Sequence, residues 1–165
     1  NLSASKAGFE EHKDKLAEIA KEGQSTKDEL IKAIDDDTSA FDEVIKAMRM
    51  PKDTEEENKI RDIEMQKGYQ SATLVPLKTV ENCRNALDIC FEISEIMDEG
   101  MASDVGSGAL MANAGAIAAA YNVRINLKSI NDENFSLQTR EKLEQLLNDC
   151  TNILNEVTDN VENCF

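Results

Sequence analysis

Three consecutive acids, Asp35-Asp36-Asp37, sit in a stretch whose apolar residues recur at helical spacing. At about 100° per residue, Leu30, Ile34, Phe41, Val44 and Met48 fall within roughly 60° of one direction, and Asp37 projects into the same arc. Asp35, Asp28, Asp42 and Lys46 point the other way, where a solvated face wants them. Of the three acids, the third alone is therefore expected to face the core. A carboxylate taken out of water resists ionisation, so it can exchange protons near neutral pH or stabilise a cationic ligand. It can equally be a structural acid bonded across the fold to an Arg or Lys.

A second candidate group lies near the end of a Gly- and Ala-rich stretch. Asn122 and Asn126 share a face at i, i+4, with Arg124 between them and Lys128 following. Two in-line amides can orient a heterocycle with donor and acceptor edges, or bridge two helices. Upstream, Gly106, Gly108, Ala109, Ala112, Gly115, Ala116, Ala119 and Ala120 leave little side-chain bulk, so another helix, of this chain or of a second copy, should approach closely. Ser103-Asp104 reads as a helix start. His12, beside Phe9, Leu16 and Ile19, is expected to be a partly buried, satisfied histidine. No GxGxxG or GxxxxGK[ST] phosphate loop occurs.

The elements that carry these residues are all helical. Segment one is expected from about Leu2 to Lys21, ended by Gly23. Segment two opens on the capping-box spelling Ser25-Thr26-Lys27-Asp28-Glu29 and runs to Met50, before Pro51. Segment three starts at Asp53-Thr54 and continues to Glu99 and Gly100, with Pro76 kinking or splitting it. Segment four runs from Ser103-Asp104 to Lys128, and segment five is capped near Asn131-Asp132. Short connections between long amphipathic helices predict an antiparallel bundle of about five helices, with residues 1–165 forming one domain.

Composition agrees. Among 165 residues, 41% are hydrophobic and 31% charged, with two Pro, seven Gly and no Trp, which disfavours a turn-rich β-sandwich. The net charge of −15, with no basic cluster, argues against nucleic acid and anionic membranes as partners. The longest uncharged run, Val105 to Val123, has 19 residues but carries Asn113, Asn122, Ser107 and three Gly, a poor membrane span. The chain opens without an apolar signal core, so a cytoplasmic location is expected. Cys83, Cys90, Cys150 and Cys164 form no CxxC pair, and with one His a zinc site is poor arithmetic. No metal is expected, and the cysteines read as reduced, mostly buried thiols.

Taken together, several motifs resemble the cyclodeaminase/cyclohydrolase family, which comprises the C-terminal half of formimidoyltransferase-cyclodeaminase and free-standing methenyltetrahydrofolate cyclohydrolases. Asp35 to Phe41, followed by Met50-Pro51-Lys52-Asp53-Thr54-Glu55-Glu56, resembles its D-x-D-x-x-A-F … L-P-K-x-T-x-E-E stretch. Val75-Pro76-Leu77 is similar to its V-P-L, Ser103-Asp104-Val105-Gly106 to its S-D helix start, and Asn122-Val123-Arg124-Ile125-Asn126-Leu127-Lys128 to its N-V-x-I-N-L-K. The Gly-rich P-G-G-G-S helix that the family carries ahead of the N-L-T that Asn1-Leu2-Ser3 resembles is absent from this sequence, and the loop before Ser103 is shorter.

The resemblance implies a helical, folate-dependent enzyme that associates as a homodimer or larger homo-oligomer. It places the catalytic carboxylate on Asp37. Asp104, Asn122 and Asn126 become substrate-binding candidates, and Lys52, Arg124 and Lys128 candidates for the anionic glutamate tail. The chemistry calls for no metal or redox cofactor, tetrahydrofolate being substrate. With no transferase half in the chain, hydrolysis of 5,10-methenyltetrahydrofolate is expected ahead of the ammonia-releasing cyclodeaminase reaction. A non-catalytic helical dimerisation module is the alternative from another class.

Overall fold

The computed structural model describes residues 10–165, whose regular structure is all helical, with no strand among them. After a 3-10 turn at Glu10–His12 come α1 (Lys13–Met48), α2 (Glu55–Ser94), α3 (Glu99–Asn126), a 3-10 turn at Leu127–Ser129 and α4 (Glu133–Glu162). The all-α expectation holds, with four long helices rather than five. Leu2 and Phe9 of the expected first segment lie outside the described residues.

Three boundaries differ from those expected. Gly23 does not end a helix, and Ser25-Thr26 caps nothing; both lie inside the 36-residue α1. A mid-helix Gly costs only about 1 kcal/mol, which the apolar contacts on either side offset. Leu16 and Ile19 before it are buried, and Leu30 after it packs on the main core. Pro76 lies within α2 without breaking it, and α2 ends at Ser94 rather than Glu99. Finally, α3 starts at Glu99 after Asp98, so Ser103-Asp104 sits in its second turn and is not the helix start.

Two expected starts are observed. The Thr54 side chain accepts from the Glu57 N–H while the Glu57 carboxylate accepts from the Thr54 N–H, a complete capping box. Asp132 caps α4 by accepting from the Phe135 N–H at 3.0 Å.

Chain direction alternates from helix to helix. Lys15 meets Glu92 and Val44 faces Gly68, Cys83 faces Gly115 and Cys90 faces Gly108, and Val161 faces Gly106 while Arg124 meets Glu144, so numbers rise on one helix as they fall on the next. The antiparallel bundle is thereby fixed by contacts. All three other helices pack on α2, and α3 and α4 also pack on each other. The main core lies between α2, α3 and α4, where Leu87, Leu143, Val80, Val123, Val157 and Cys150 are fully buried. The small residues of α3 serve this core: Ala109, Ala116 and Ala120 have no exposed surface. A Cβ on Gly115 would stand 3.2 Å from the Cys83 sulfur, so the close approach expected of the Gly/Ala stripe is made within the chain.

The seam between α1 and α2 is thinner. It is built around Ala40, Val44 and Ala72. Here Gly68 is required, because a Cβ would lie 3.1 Å from a Val44 methyl and 3.3 Å from the Val44 backbone.

Candidate active site on the α1–α2 seam

Asp37 is exposed, and so are the apolar residues expected to bury it: Ile34 is 68% and Phe41 59% exposed. This corrects the expectation that Asp37 faces the core. A helical wheel takes the broadest apolar arc as the buried one, whereas the second half of α1 buries the narrower stripe Ala40, Val44, Ala47 against α2. One turn back along that stripe lies Asp36, half-buried and ion-paired with Lys32. That pairing raises the Lys32 ammonium above its ordinary value, through the hydrogen bond and the charge of Asp36.

Asp36 lines a cleft of about 230 Å³ between α1 and α2, together with Glu29, Ser71, Leu74, Lys78 and Asn82. Asn82 is 4% exposed, and its buried amide nitrogen has no hydrogen-bond partner among the described residues. Such a donor costs about 1–3 kcal/mol unless something accepts from it. Behind the cleft, Glu81 receives hydrogen bonds from Lys142 on α4 and Lys78 on α2. Burial alone would push the Glu81 carboxyl up, but the two lysines more than offset it and hold it below its ordinary value.

Asn126 takes the helix-bridging alternative, linking α3 to α2. Its amide nitrogen donates to the Ala72 carbonyl at 2.7 Å. Pro76, four residues after Ala72, has no N–H to offer that carbonyl, so Asn126 supplies the missing helical bond from α3. This explains how α2 passes through Pro76 unbroken.

The remaining candidates divide by position. Asn122, Arg124 and Lys128 are exposed near the end of α3, and Arg124 is paired with Glu144 at 2.9 Å. Lys52 is exposed in the α1–α2 connection, its carbonyl accepting from Asn58 at 3.0 Å. Gln66 of α2 ties down the turn after α3, donating to the Ser129 carbonyl and accepting from the Asn131 N–H. Asp104 is exposed about six turns, or about 33 Å, along α3 from Asn126. It cannot contact the same ring as Asn126 within one chain. Sequence reasoning missed Asp36, Lys78 and Asn82; a polar Asn at a buried position of α2 was the available signal for the last.

His12 is half-buried in the turn before α1. Burial raises the thiols of Cys83 and Cys90, and burial with nearby Cys83 and Asp149 pushes Cys150 up to about 11, so these cysteines stay protonated at neutral pH. No helix of the described residues is long and apolar enough to cross a membrane.

Residues 1–145 match the family model described as formiminotransferase-cyclodeaminase. The chain belongs to that family. It is 31% identical over 147 residues to a methenyltetrahydrofolate cyclohydrolase of Methylorubrum extorquens, covering 89% of this chain and 71% of that protein. It is also 31% identical over 146 residues to the formimidoyltransferase-cyclodeaminase of Gallus gallus, covering 88% of this chain but 27% of that longer protein. The fold is that of a formiminotetrahydrofolate cyclodeaminase from Thermotoga maritima, with a TM-score of 0.85 at 24% identity, covering 96% of this chain and 75% of that one.

Proposed function

We propose that the chain is a folate one-carbon enzyme that hydrolyses 5,10-methenyltetrahydrofolate to 10-formyltetrahydrofolate. The observation that carries this reading is the match over 71% of a relative named for that reaction. Asp37 is the acid/base group. It accepts a proton as water adds to the cationic methenyl carbon, and its negative charge offsets the amidinium. The tetrahedral adduct then breaks its bond to N5, which takes up a proton, and the former water oxygen becomes the formyl carbonyl. One proton is released overall, and neither metal nor redox cofactor enters.

In this reading Asn122, exposed near the end of α3, Lys128, in the turn after it, and Lys52, in the connection ahead of α2, contact the substrate outside its ring system, the lysines meeting the anionic tail. Asp104, about 33 Å away along α3, would serve a site only across two copies of the chain. A homodimer or larger homo-oligomer is part of this reading. Ile34, Phe41 and Met48 flank Asp37 along α1, and Leu110, Tyr121 and Ile125 stand exposed on α3, more apolar surface than a monomer usually leaves uncovered. Covering the α1 arc would also take Asp37 out of water, the state its proposed role needs. A cytoplasmic setting completes the proposal.

The second reading is formimidoyltetrahydrofolate cyclodeamination, in which N10 attacks a formimino carbon and ammonia leaves. Relatives named formimidoyltransferase-cyclodeaminase at 31% identity favour it, and the same carboxylate suits both adducts. Loss of methenyltetrahydrofolate absorbance, measured beside ammonia release from the formimino substrate, tests the pair. Turnover of the first alone supports the cyclohydrolase, turnover of the second alone replaces it with the cyclodeaminase, and turnover of neither overturns both.

A further inference from the structure

Asn82 lines the cleft between α1 and α2, and its buried amide nitrogen has no hydrogen-bond partner among the described residues. Its surroundings restrict what could accept from it. Leu74 and Val75 provide apolar wall, and Asp36 and Glu29 place two carboxylates on the α1 side. The cation that lines the cleft, Lys78, is engaged by Glu81 at 3.1 Å. A free carboxylate or phosphate would meet two acids here, and a simple cation would meet the Asn82 donor. The complementary guest is neutral and flat, with an acceptor next to donors along one edge.

Building on the folate reading, we infer that this cleft is the pterin subsite. The Asn82 amide donates to the 4-oxo group, and the Asp36 carboxylate accepts from N3–H and the 2-amino group. That edge runs acceptor, donor, donor, the order that an amide N–H beside a carboxylate reads. Asp36 is available for this because its present partner, Lys32, is a surface lysine whose exposed pairing is weak. At about 230 Å³ the cleft is smaller than the ~300–1,000 Å³ of drug-sized sites, so it suits one ring system and not a whole folate. The rest of the substrate would leave the cleft beside the next residue of α1, Asp37. The two neighbouring acids then divide the work: Asp36 holds the ring, and Asp37 serves the carbon attached to it.

The test is a fluorescence titration of the intact chain with pterin and with lumazine, which carries an oxo group where pterin has the 2-amino group. Wild type should bind pterin saturably and prefer it to lumazine. Asn82→Ala should weaken pterin by about tenfold or more, as expected for a buried hydrogen bond, without lowering the melting temperature, since its donor has no partner to lose. Asp36→Asn, a half-exposed position that does not endanger folding, should erase the preference for pterin over lumazine. Asn85→Ala, on the exposed side of α2, should change neither. Absence of pterin binding by wild type at millimolar concentration, or equal binding by wild type and both variants, overturns the subsite. Methenyltetrahydrofolate turnover by the same wild-type sample decides the folate reading separately.

Discussion

The core enclosed by α2, α3 and α4 and the seam between α1 and α2 are built by different rules. In the core, Leu87, Leu143, Val80 and Val157 interdigitate with the alanines of α3, and the helices approach until a Cβ on Gly115 would crowd a sulfur. The seam rests on Ala40, Val44 and Ala72, and beside them it holds a cleft with two acids and an unsatisfied amide. One region is filled and the other is left open and polar. Packing is densest in the first, and the second is where the proposed chemistry is put, as is common where sites break the rules of packing.

The largest expected effect lies in the core. Leu87→Ala should cost about 2–5 kcal/mol, the range for emptying a fully packed site, read as a fall in the denaturant midpoint. Val44→Ala, on the seam, should cost less because fewer apolar neighbours surround it. Equal losses at the two positions would erase the distinction between the regions.

Next comes catalysis. Asp37→Asn should lower turnover by about 10² or more with the fold retained, since no core within the chain depends on the side chain. Asp35→Asn should change the rate far less. Full activity in Asp37→Asn would remove it from the mechanism.

Asn126 joins the two regions. Asn126→Ala should cost about 1–3 kcal/mol by stranding the Ala72 carbonyl. In a Pro76→Ala background the new backbone N–H can reach that carbonyl, so the same substitution should cost clearly less. Additive losses in this double-mutant cycle would refute the repair.

The smallest effect is a matter of pH. Glu81 has its folded pKa held below the ordinary carboxylate value, so its contribution is present above about pH 4.5 and is lost as pH falls through the folded value. Its lysine partners are more than half exposed, so each pair is worth under about 1 kcal/mol. Asp88, raised chiefly by burial, acts in the opposite sense: its ionisation disfavours the fold as pH rises from its ordinary value to the raised one. Glu81→Gln should therefore flatten the acid limb of a melting-temperature profile, and an unchanged limb would show that the lysine pairs contribute nothing.

Much of the bundle was legible in the sequence because local chemistry decided it. Thr54 with Glu57, Asp132 and Met50-Pro51 punctuate helices wherever they occur, and the Gly/Ala run of α3 has few uses other than close packing. Local reading failed where a neighbour decides the outcome. Gly23 has a continuous helix on both sides, so the weak stop signal lost to the apolar stripe. Asp37 was assigned inward because its arc is the most apolar, yet α1 has one main neighbour and the arc is wider than the strip α2 covers. Asn126 meets a carbonyl 54 residues away, which no spacing rule anticipates. Of the proposed site, the acid-rich turn on α1 is visible in the sequence; the cleft and the buried Asn82 that lines it emerge only with the partner helix in place.

The dependence of α1 on a single main neighbour has a consequence for motion. Five of its 36 residues are buried, against ten of 40 in α2, and its principal partner is α2 alone. An element held by one main neighbour can separate without breaking the contacts among the others, so α1 can lift while α2, α3 and α4 remain folded. Its amides should exchange with solvent deuterium well before those of the core. The acids proposed to hold and transform the substrate ride on that detachable helix, so loosening α1 would release product without disturbing the scaffold to which the helix returns.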